Sequence, residues 1–373
     1  MCAKKGIRII IAGGGTGGHV FPAVAIAEEF LERSDVQDVL FIGTEKGLEA
    51  RVLRDMGFTL RMINVEGVKG KGAVKMIVGL LKIPWSIAQS VSIIRNFRPD
   101  IVLGVGGYAS GPAVIAAHFM GIKTAIAEQN ALPGFTNRIL GRFVNKIFLS
   151  FPDTGNRFAG NKVVVTGNPV RKGFVKGTKK TRIKGDKFSI LIFGGSQGAR
   201  TINSAVVKSV EYLEDIKDRL VITHQTGAKD VEEVSAAYHS YGVSAGVHSF
   251  ITDMSSAYES ADLLICRAGA TSIAEITATG KAAVLIPYPF AVGNHQELNA
   301  RVLVDAAAAE MLLESELDGE KLAGIIRRLF NNPETIDRME QESERLGNLK
   351  AAEHIVYECM AIPGQWSGVR GKI

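Results

Sequence analysis

Two stretches of the sequence begin alike and decide the predicted fold: residues 7–18 read IRIIIAGGGTGG, and residues 188–198 read FSILIFGGSQG. Each is an apolar run typical of a buried strand, followed by a glycine-rich turn and a helix-like segment. Strand-like and helix-like segments alternate after both stretches, which is the pattern of a doubly wound parallel sheet. We therefore expect an α/β protein with two Rossmann-like domains that face each other across a cleft.

The alternation pauses once along the chain, and the pause sets the predicted domain boundary. Residues 167–171 read GNPVR, and residues 172–187 are polar and basic, so the linker between domains is predicted here. The first domain is then expected at residues 1–170 and the second at 171–349. Residues 333–373 have a helical pattern, and we expect the helix at 350–373 to pack back on the first domain.

Composition narrows the class of protein. With 46% hydrophobic residues, 22% charged residues and 41 glycines among 373 residues, the chain is typical of a soluble or peripheral α/β enzyme and not of a disordered protein. The net charge of +6 indicates an anionic partner, such as nucleic acid, anionic lipid or a phosphate-bearing substrate. Cys2, Cys266 and Cys359 are far apart, so neither a disulfide framework nor a metal cluster is predicted, which fits a reducing cytosol.

The start of the chain and its apolar runs indicate how the protein could associate with a membrane. The basic N-terminus leads into an apolar run of about five residues, which a first strand explains better than a signal peptide. No run approaches the roughly 18 apolar residues of a membrane span. Residues 74–94, VKMIVGLLKIPWSIAQSVSII, are apolar and include Trp85. They suit attachment to an anionic bilayer surface, or a buried crossover helix. Basic residues surround this segment at Lys69, Lys71, Lys75, Lys82 and Arg95.

The second domain contains the most informative stretch, residues 262–300, DLLICRAGATSIAEITATGKAAVLIPYPFAVGNHQELNA. It predicts a strand, a turn of small residues and a helix over 271–279 that stops at Gly280. Thr271 or Ser272 can cap this helix, so its N-terminus forms an anion site. Glu275 can accept two hydrogen bonds from a ribose diol. Neutral polar groups for sugar hydroxyls follow at His295, Gln296 and Asn299. Together they indicate a nucleotide-sugar site, the alternative being an ordinary βαβ unit with a polar loop.

The glycine turn at residues 13–18 follows a strand and precedes a helix, as a phosphate-binding turn does. A dinucleotide site would also need an acid after the second strand, where Glu45 is an imperfect candidate. It would not predict His19, which follows the turn directly. A neutral imidazole at a helix start can take a proton from an attacking hydroxyl. A capping or packing histidine is the alternative.

Other polar groups follow strand ends. In the first domain these are the turn at 104–112, GVGGYASGP, the residues 128–130, EQN, and Asn137, which suggest a site for a large hydroxylated or phosphorylated substrate. In the second domain, Ser196 can donate to a phosphate, and Arg171 can reach the same anion or form an interdomain salt bridge. No D-x-D pair occurs, so we expect neither metal nor cofactor, with helix dipoles and arginine stabilising the leaving group instead.

Several motifs in this order resemble the MurG-type bacterial N-acetylglucosaminyltransferases. They are GGGTGGHVFPAVAIAEE, GVGGYASGP, EQNALPGFTNR, TGNPVR, FGGSQGAR, HQTG, FITDM, CRAGATSIAEI and GNHQELNA, and they cover nearly the whole chain. The resemblance implies a glycosyltransferase-B fold, with the acceptor in the first domain and the donor in the second. It implies inverting transfer of GlcNAc from UDP-GlcNAc to the 4-hydroxyl of undecaprenyl-diphosphate-linked MurNAc-pentapeptide. The product is the β-1,4 disaccharide lipid precursor of peptidoglycan.

The resemblance also implies residue roles and surroundings. His19 corresponds to the histidine near the acceptor hydroxyl, and Glu128 is a second candidate for the base. Substrate-binding roles are implied for Thr16, Gly17, Gly18, Asn130, Arg171, Ser196, Ile251, Ala270, Thr271, Ser272, Ile273, Ala274, Glu275 and Gln296. His295 stands where another amide can occur, so its contact is left open. A peripheral position on the cytoplasmic face of the cell membrane is expected, with other cell-wall synthesis and division proteins as further partners and no nucleic acid.

Three alternative functions remain open from the sequence. A UDP-GlcNAc 2-epimerase or glycolipid glycosyltransferase would share the fold, although an epimerase needs no lipid acceptor. An NAD-dependent dehydrogenase would use residues 13–18 and Glu45. A non-catalytic nucleotide-sugar sensor or membrane scaffold would bind UDP-GlcNAc without releasing UDP.

Overall fold

The computed structural model describes residues 6–45, 49–65, 73–152, 155–175, 187–195 and 197–362, with side chains except at 51, 73–81, 175 and 292. The chain divides into two compact units. Unit 1 comprises Met1–Pro169 together with Lys350–Ile373, and unit 2 comprises Val170–Leu349.

The described part of unit 1 contains a parallel sheet with the strand order β3-β2-β1-β4-β5-β6-β7. Its strands are β1 (Ile7–Ala12), β2 (Val36–Gly43), β3 (Thr59–Met62), β4 (Ile101–Gly104), β5 (Lys123–Glu128), β6 (Lys146–Leu149) and β7 (Val163–Val165). Its helices include α1 (Gly17–Leu31), α2 (Glu49–Asp55), α3 (Ala73–Phe97), α4 (Ser110–Phe119) and α5 (Phe135–Leu140).

The isoleucines of β1 show why its sequence is apolar at every position except Arg8. Ile9 and Ile11 pack into a core with α1, whereas Ile10 packs into a second core that includes residues of α4. Since helices cover both faces of the sheet, every position along the strand except the partly buried Arg8 is buried. The chain order reverses between β1 and β4, so the turns that follow these two strands lie at a topological switch point, where α/β sheets bind ligands.

Unit 2 repeats the arrangement with the strand order β10-β9-β8-β11-β12-β13, again with every described pairing parallel. Its helices are α6 (Lys172–Val175), α7 (Arg200–Ser209), α8 (Val231–Ser240), α9 (Met254–Ser260), α10 (Ala270–Thr279), α11 (His295–Asp305), α12 (Gly319–Asn331) and α13 (Pro333–Leu346). Its strands are β8 (Phe188–Phe193), β9 (Leu220–Gln225), β10 (Ala245–His248), β11 (Leu263–Cys266), β12 (Ala282–Leu285) and β13 (Ala309–Met311). The switch point lies between β8 and β11. The predicted α/β class, with a doubly wound parallel sheet in each half, is confirmed.

The last helix, α14 (Ala351–Met360), belongs to unit 1 and packs against α1. Ile355 and Cys359 join the core that contains Val20 and Val24. Lys146 Nζ of β6 donates to Glu358 Oε2 over 2.8 Å, which adds a polar contact to the packing. Unit 1 is therefore built from both ends of the chain. Residues 363–373 of the predicted terminal helix lie outside the described residues.

The segment 74–94 falls within α3, which packs against α4. Ser86 and Ser90 are buried, whereas 62% of the Trp85 surface is exposed. Lys69 and Lys71 lie outside the described residues, as does the side chain of Lys75. Among the helices that the structure describes, none is long and apolar enough to cross a bilayer.

Candidate active site

The glycine turn after β1 is held from behind by a carboxylate that the sequence analysis did not single out. Glu49, only 1% exposed, accepts from the Gly15 amide over 2.7 Å through Oε2. Its Oε1 accepts from the Thr44 amide over 2.8 Å and from Thr44 Oγ1 over 2.9 Å. The Gly15 amide is therefore engaged by the protein itself and does not point to a ligand phosphate. Glu45 is exposed, so it does not supply the acid that a dinucleotide site requires.

The second glycine turn forms the surface beneath His19. A Cβ built on Gly106 would stand 2.8 Å from His19 Nε2, so the imidazole lies directly over this glycine. Gly106 has φ +87°, a left-handed conformation that favours glycine. At the other side of the ring, His19 Nδ1 lies 3.3 Å from Thr16 Oγ1. The structure thus brings together His19 and the turns predicted at 13–18 and 104–112. Thr16, Gly17 and Gly18 lie at the start of α1, with Thr16 as the N-cap residue.

Glu128, at the end of β5, is engaged by four hydrogen bonds. Oε1 accepts from the amide and the side chain of Asn130, over 3.0 and 3.3 Å. Oε2 accepts from the Gly134 amide and from Asn137 Nδ2, both over 2.9 Å. The carboxylate is 3% exposed and organises the loop that leads into α5. This geometry favours a loop-positioning role for Glu128 and leaves His19 as the better placed base.

In unit 2, Glu275 lies on α10 and is 5% exposed. Arg171 Nη2 donates to its Oε1 over 2.9 Å, and the arginine also lies over the ring of Phe174 at 4.9 Å. Burial raises the pKa of the Glu275 carboxyl, and the positive charge of Arg171 opposes this shift. Arg171 was predicted to bind phosphate or to bridge the domains. The structure pairs it, within unit 2, with the carboxylate predicted to bind ribose, so this salt bridge does not join the two units, and phosphate binding stays a prediction.

The predicted cap of α10 at Thr271 or Ser272 is wrong. The helix begins at Ala270 with Gly269 as the N-cap residue, because the small residues before it let the chain enter the helix earlier. Thr271 and Ser272 therefore lie in the first turn, with Ile273, Ala274 and Glu275 following. The buried Thr271 Oγ1 has no hydrogen-bond partner among the described residues. The predicted stop at Gly280 is confirmed, with φ +59°.

Gln225, the last residue of β9, links two predicted donor-binding segments. Its Nε2 donates to the carbonyl of Gly195 over 3.0 Å, and its Oε1 accepts from the Ile251 amide over 2.8 Å. The Ile251 amide is thus engaged within the protein. Of its two backbone groups, the carbonyl is the one that remains to contact the nucleotide base of the donor. Ser196, predicted to bind phosphate, lies outside the described residues.

The amides at the start of α11 bind neighbouring backbone. Gln296 Oε1 accepts from the Tyr288 amide over 2.9 Å. Asn299 is fully buried, and its Nδ2 donates to the Ala268 carbonyl over 3.3 Å, in the turn before α10. Asn299 therefore supports that turn from within the unit and is not placed to contact a sugar. Among the described residues, no group of three or more His, Cys, Asp or Glu side chains could hold a metal ion.

Comparison with known families matches a domain model to each half of the chain. Residues 9–149 match the glycosyltransferase family 28 N-terminal domain, and residues 189–355 match the glycosyltransferase family 28 C-terminal domain. The chain belongs to glycosyltransferase family 28.

This family 28 chain is also similar to individual transferases of known name. It is 58% identical over 356 residues to the UDP-N-acetylglucosamine–N-acetylmuramyl-(pentapeptide) pyrophosphoryl-undecaprenol N-acetylglucosamine transferase of Syntrophus aciditrophicus, covering 95% of this chain and 99% of the relative. The crystal structure of Acinetobacter baumannii MurG matches with a TM-score of 0.77 and 32% identity, covering 95% and 99% of the two chains. Within family 28, the chain therefore belongs with the MurG-type transferases, and the glycosyltransferase-B fold is confirmed.

A more distant likeness concerns one of the alternatives. The UDP-GlcNAc 2-epimerase of Neisseria meningitidis, solved with UDP-GlcNAc bound, matches with a TM-score of 0.67 and covers 94% of this family 28 chain and 99% of its own. Its sequence is only 14% identical, so this match shows a shared fold and does not favour epimerase chemistry.

Proposed function

We propose that this protein is the inverting glycosyltransferase that moves GlcNAc from UDP-GlcNAc to the 4-hydroxyl of undecaprenyl-diphosphate-linked MurNAc-pentapeptide. The observation that carries the proposal is the 58% identity to the Syntrophus aciditrophicus transferase, which extends over 95% of the chain and so includes both units. The product is the β-1,4-linked disaccharide lipid.

The acceptor is assigned to unit 1, where His19 acts as general base. The acceptor hydroxyl oxygen attacks the anomeric carbon, and His19 takes the hydroxyl proton. The bond from that carbon to UDP breaks with its electron pair on the β-phosphate oxygen, which inverts the configuration. His19 suits this role because Nδ1 faces the Thr16 hydroxyl, which leaves Nε2, at the Gly106 turn, as the nitrogen that takes the proton.

The donor is assigned to unit 2. The first turn of α10 carries the positive dipole end typical of helix N-termini, which favours a diphosphate. The unpartnered Thr271 hydroxyl supports an anion at this place. Glu275 binds the ribose diol through the carboxylate that also pairs with Arg171. The arginine then stabilises the charge that develops on the departing UDP.

The experiment that tests the function is UDP release from UDP-GlcNAc, measured with and without the muramoyl-pentapeptide lipid diphosphate. We expect release only with acceptor, and a product heavier by one N-acetylhexosamine. His19→Ala is expected to lower the rate by about 100-fold or more, whereas His239→Ala, an exposed histidine of α8, serves as the control. UDP or UDP-ManNAc formed without acceptor would reject the proposal in favour of hydrolase or epimerase chemistry.

Attachment to the cytoplasmic membrane surface is a second part of the proposal. It rests on Trp85, exposed over 62% of its surface on α3, and on the net charge of +6. Aromatic side chains beside basic residues suit the interface of an anionic bilayer. Co-sedimentation with vesicles that contain phosphatidylglycerol should exceed that with phosphatidylcholine alone, and Trp85→Ser should weaken it. Equal binding to both vesicle types would contradict an electrostatic contribution.

A further inference from the structure

Gln129, the residue after β5, differs from its two neighbours because its side chain is buried without hydrogen bonds to the described residues. It is 2% exposed, and neither Oε1 nor Nε2 has a hydrogen-bond partner among the described residues. Glu128 and Asn130, by contrast, are bonded to each other and to the following loop. An amide buried without partners costs folding free energy, and proteins retain such groups mainly where function requires them.

The Gln129 amide lies beside His19. The point where a Gly106 Cβ would stand is 3.6 Å from Gln129 Oε1 and 2.8 Å from His19 Nε2. Because Gly106 has no side chain, the imidazole and the amide both pack closely against this turn. Thr16 lies at the opposite nitrogen of the imidazole, so Nε2 is the nitrogen on the same side as the amide.

We infer that Gln129 is a further substrate-contacting residue, whose amide binds the acceptor hydroxyl that gives its proton to His19. The inference rests on the proposed function. A hydroxyl oxygen can donate its hydrogen to His19 Nε2 and accept a hydrogen bond from an amide N–H at the same time. Rotation of the Gln129 amide about its last bond brings Nε2 to the position of Oε1. The glutamine gains and loses no proton; it fixes the direction of the attacking lone pair.

The test variant is Gln129→Met, which keeps the side-chain length and removes the amide. We expect kcat/KM for the lipid acceptor to fall roughly 10- to 100-fold. The KM for UDP-GlcNAc should stay within about twofold, because the donor is assigned to unit 2. The melting temperature should be equal or higher, since an unpartnered buried amide is removed. Loss of activity without loss of stability is the result that a merely structural role would not give.

The matched control is Gln89→Met, in α3 of the same unit. Gln89 Oε1 accepts from the Asn64 amide over 2.8 Å, so the same substitution should lower the melting temperature there and leave acceptor kinetics unchanged. The inference is overturned if Gln129→Met keeps acceptor kcat/KM within twofold, or if its activity falls only in step with its stability.

A second variant separates binding of the hydroxyl from action on the imidazole. Gln129→Glu keeps the shape but offers a carboxylate, which cannot donate. We expect it to lose as much activity as Gln129→Met. Retained activity, with the acid limb of the pH profile moved upward, would mean that residue 129 acts on His19, and would overturn the inference. If the unmodified protein releases no UDP with acceptor, the proposed function fails and this inference falls with it. If the unmodified protein is active and the Gln129 variants are equally active, this inference alone fails.

Discussion

Glu275 and Arg171 form an ion pair, and the proposed function has the same carboxylate bind the donor ribose. Burial raises the pKa of Glu275, and Arg171 opposes that shift and so favours the ionised form that can accept two hydrogen bonds. We expect Glu275→Gln to weaken UDP binding by roughly 10- to 100-fold, the usual loss for a hydrogen bond to a charged group. The unmodified protein should prefer UDP to 2′-deoxy-UDP, and the variant should not.

Isothermal titration calorimetry with the two nucleotides checks this prediction. Glu310→Gln is the control, because Glu310 pairs with Arg328 near the surface on β13. A variant at Glu275 that still discriminates between the two nucleotides as strongly as the unmodified protein would show that the diol is bound elsewhere.

His224 makes the folding stability of unit 2 depend on pH. Asn203 Oδ1 can only accept, so His224 Nε2 donates to it over 3.1 Å and Nδ1 accepts from Tyr238 at 3.0 Å, which defines the neutral tautomer. Burial lowers the pKa of His224 from 6.5 to about 3. Below pH 6.5 the unfolded chain therefore binds a proton that the folded chain does not, and stability falls with pH down to about 3.

We expect His224 to remove about 2 kcal/mol from the free energy of unfolding of unit 2 between pH 7 and pH 5. Urea unfolding at these two pH values measures the effect. His224→Gln should be less stable at pH 7 and should show a smaller difference between them. His239→Gln, on the exposed side of α8, should keep the full difference. If the stability of His224→Gln changes with pH as much as that of the unmodified protein, groups other than His224 cause the pH dependence.

Some of the site residues could be found from the sequence and others could not. Glu275 stands out because it is the one charged residue of an otherwise uncharged helix next to a glycine turn. Glu49 has no such local signal, since the amide it binds belongs to Gly15, far away in the sequence. Gln129 belongs to the polar stretch 128–130 that the sequence singles out, but only the structure shows that its amide lies beside His19 at the Gly106 turn.

Among the elements, the turn between β1 and α1 is held by Glu49, the first residue of α2. Glu49→Gln offers one acceptor oxygen where the carboxylate offers two, so its N–H group would meet the amide of Gly15 or of Thr44. We expect a loss of about 1–3 kcal/mol in stability. The transfer rate should also fall, because the turn places His19.

Thermal unfolding and turnover of Glu49→Gln check this, with the exposed Glu45→Gln as the matched control. A Glu49→Gln variant with unaltered melting temperature and rate would show that the turn keeps its shape without the carboxylate.

The elements differ in how well their sequences reveal them. β1 and β8 are buried on both faces, so their apolar runs are readable from the sequence. β3, by contrast, was not predicted: its residues TLRM are largely exposed at the edge of the sheet, and backbone pairing with β2 alone defines it. The start of α10 was misplaced because several small or hydroxyl residues in succession could each act as the cap.

For the whole molecule, the residues proposed to bind the donor all lie in unit 2, which has a core of its own: Arg171, Ile251, Thr271 and Glu275, with Gln225 supporting them. We expect residues 170–349, produced alone, to unfold cooperatively in urea and to bind UDP within about tenfold of the full chain. Circular dichroism and calorimetry measure the two properties. A folded fragment that does not bind UDP would contradict the assignment of the donor to unit 2.

The packing of α14 on α1 also sets an order of events during synthesis. Unit 1 needs residues from both ends of the chain, and the whole of unit 2 is translated between them. The apolar side of α1 that Ile355 and Cys359 later cover is therefore without these partners on the ribosome for roughly ten seconds or more at ordinary elongation rates. The second half of this protein can complete its fold before the first half does, although the first half is made earlier.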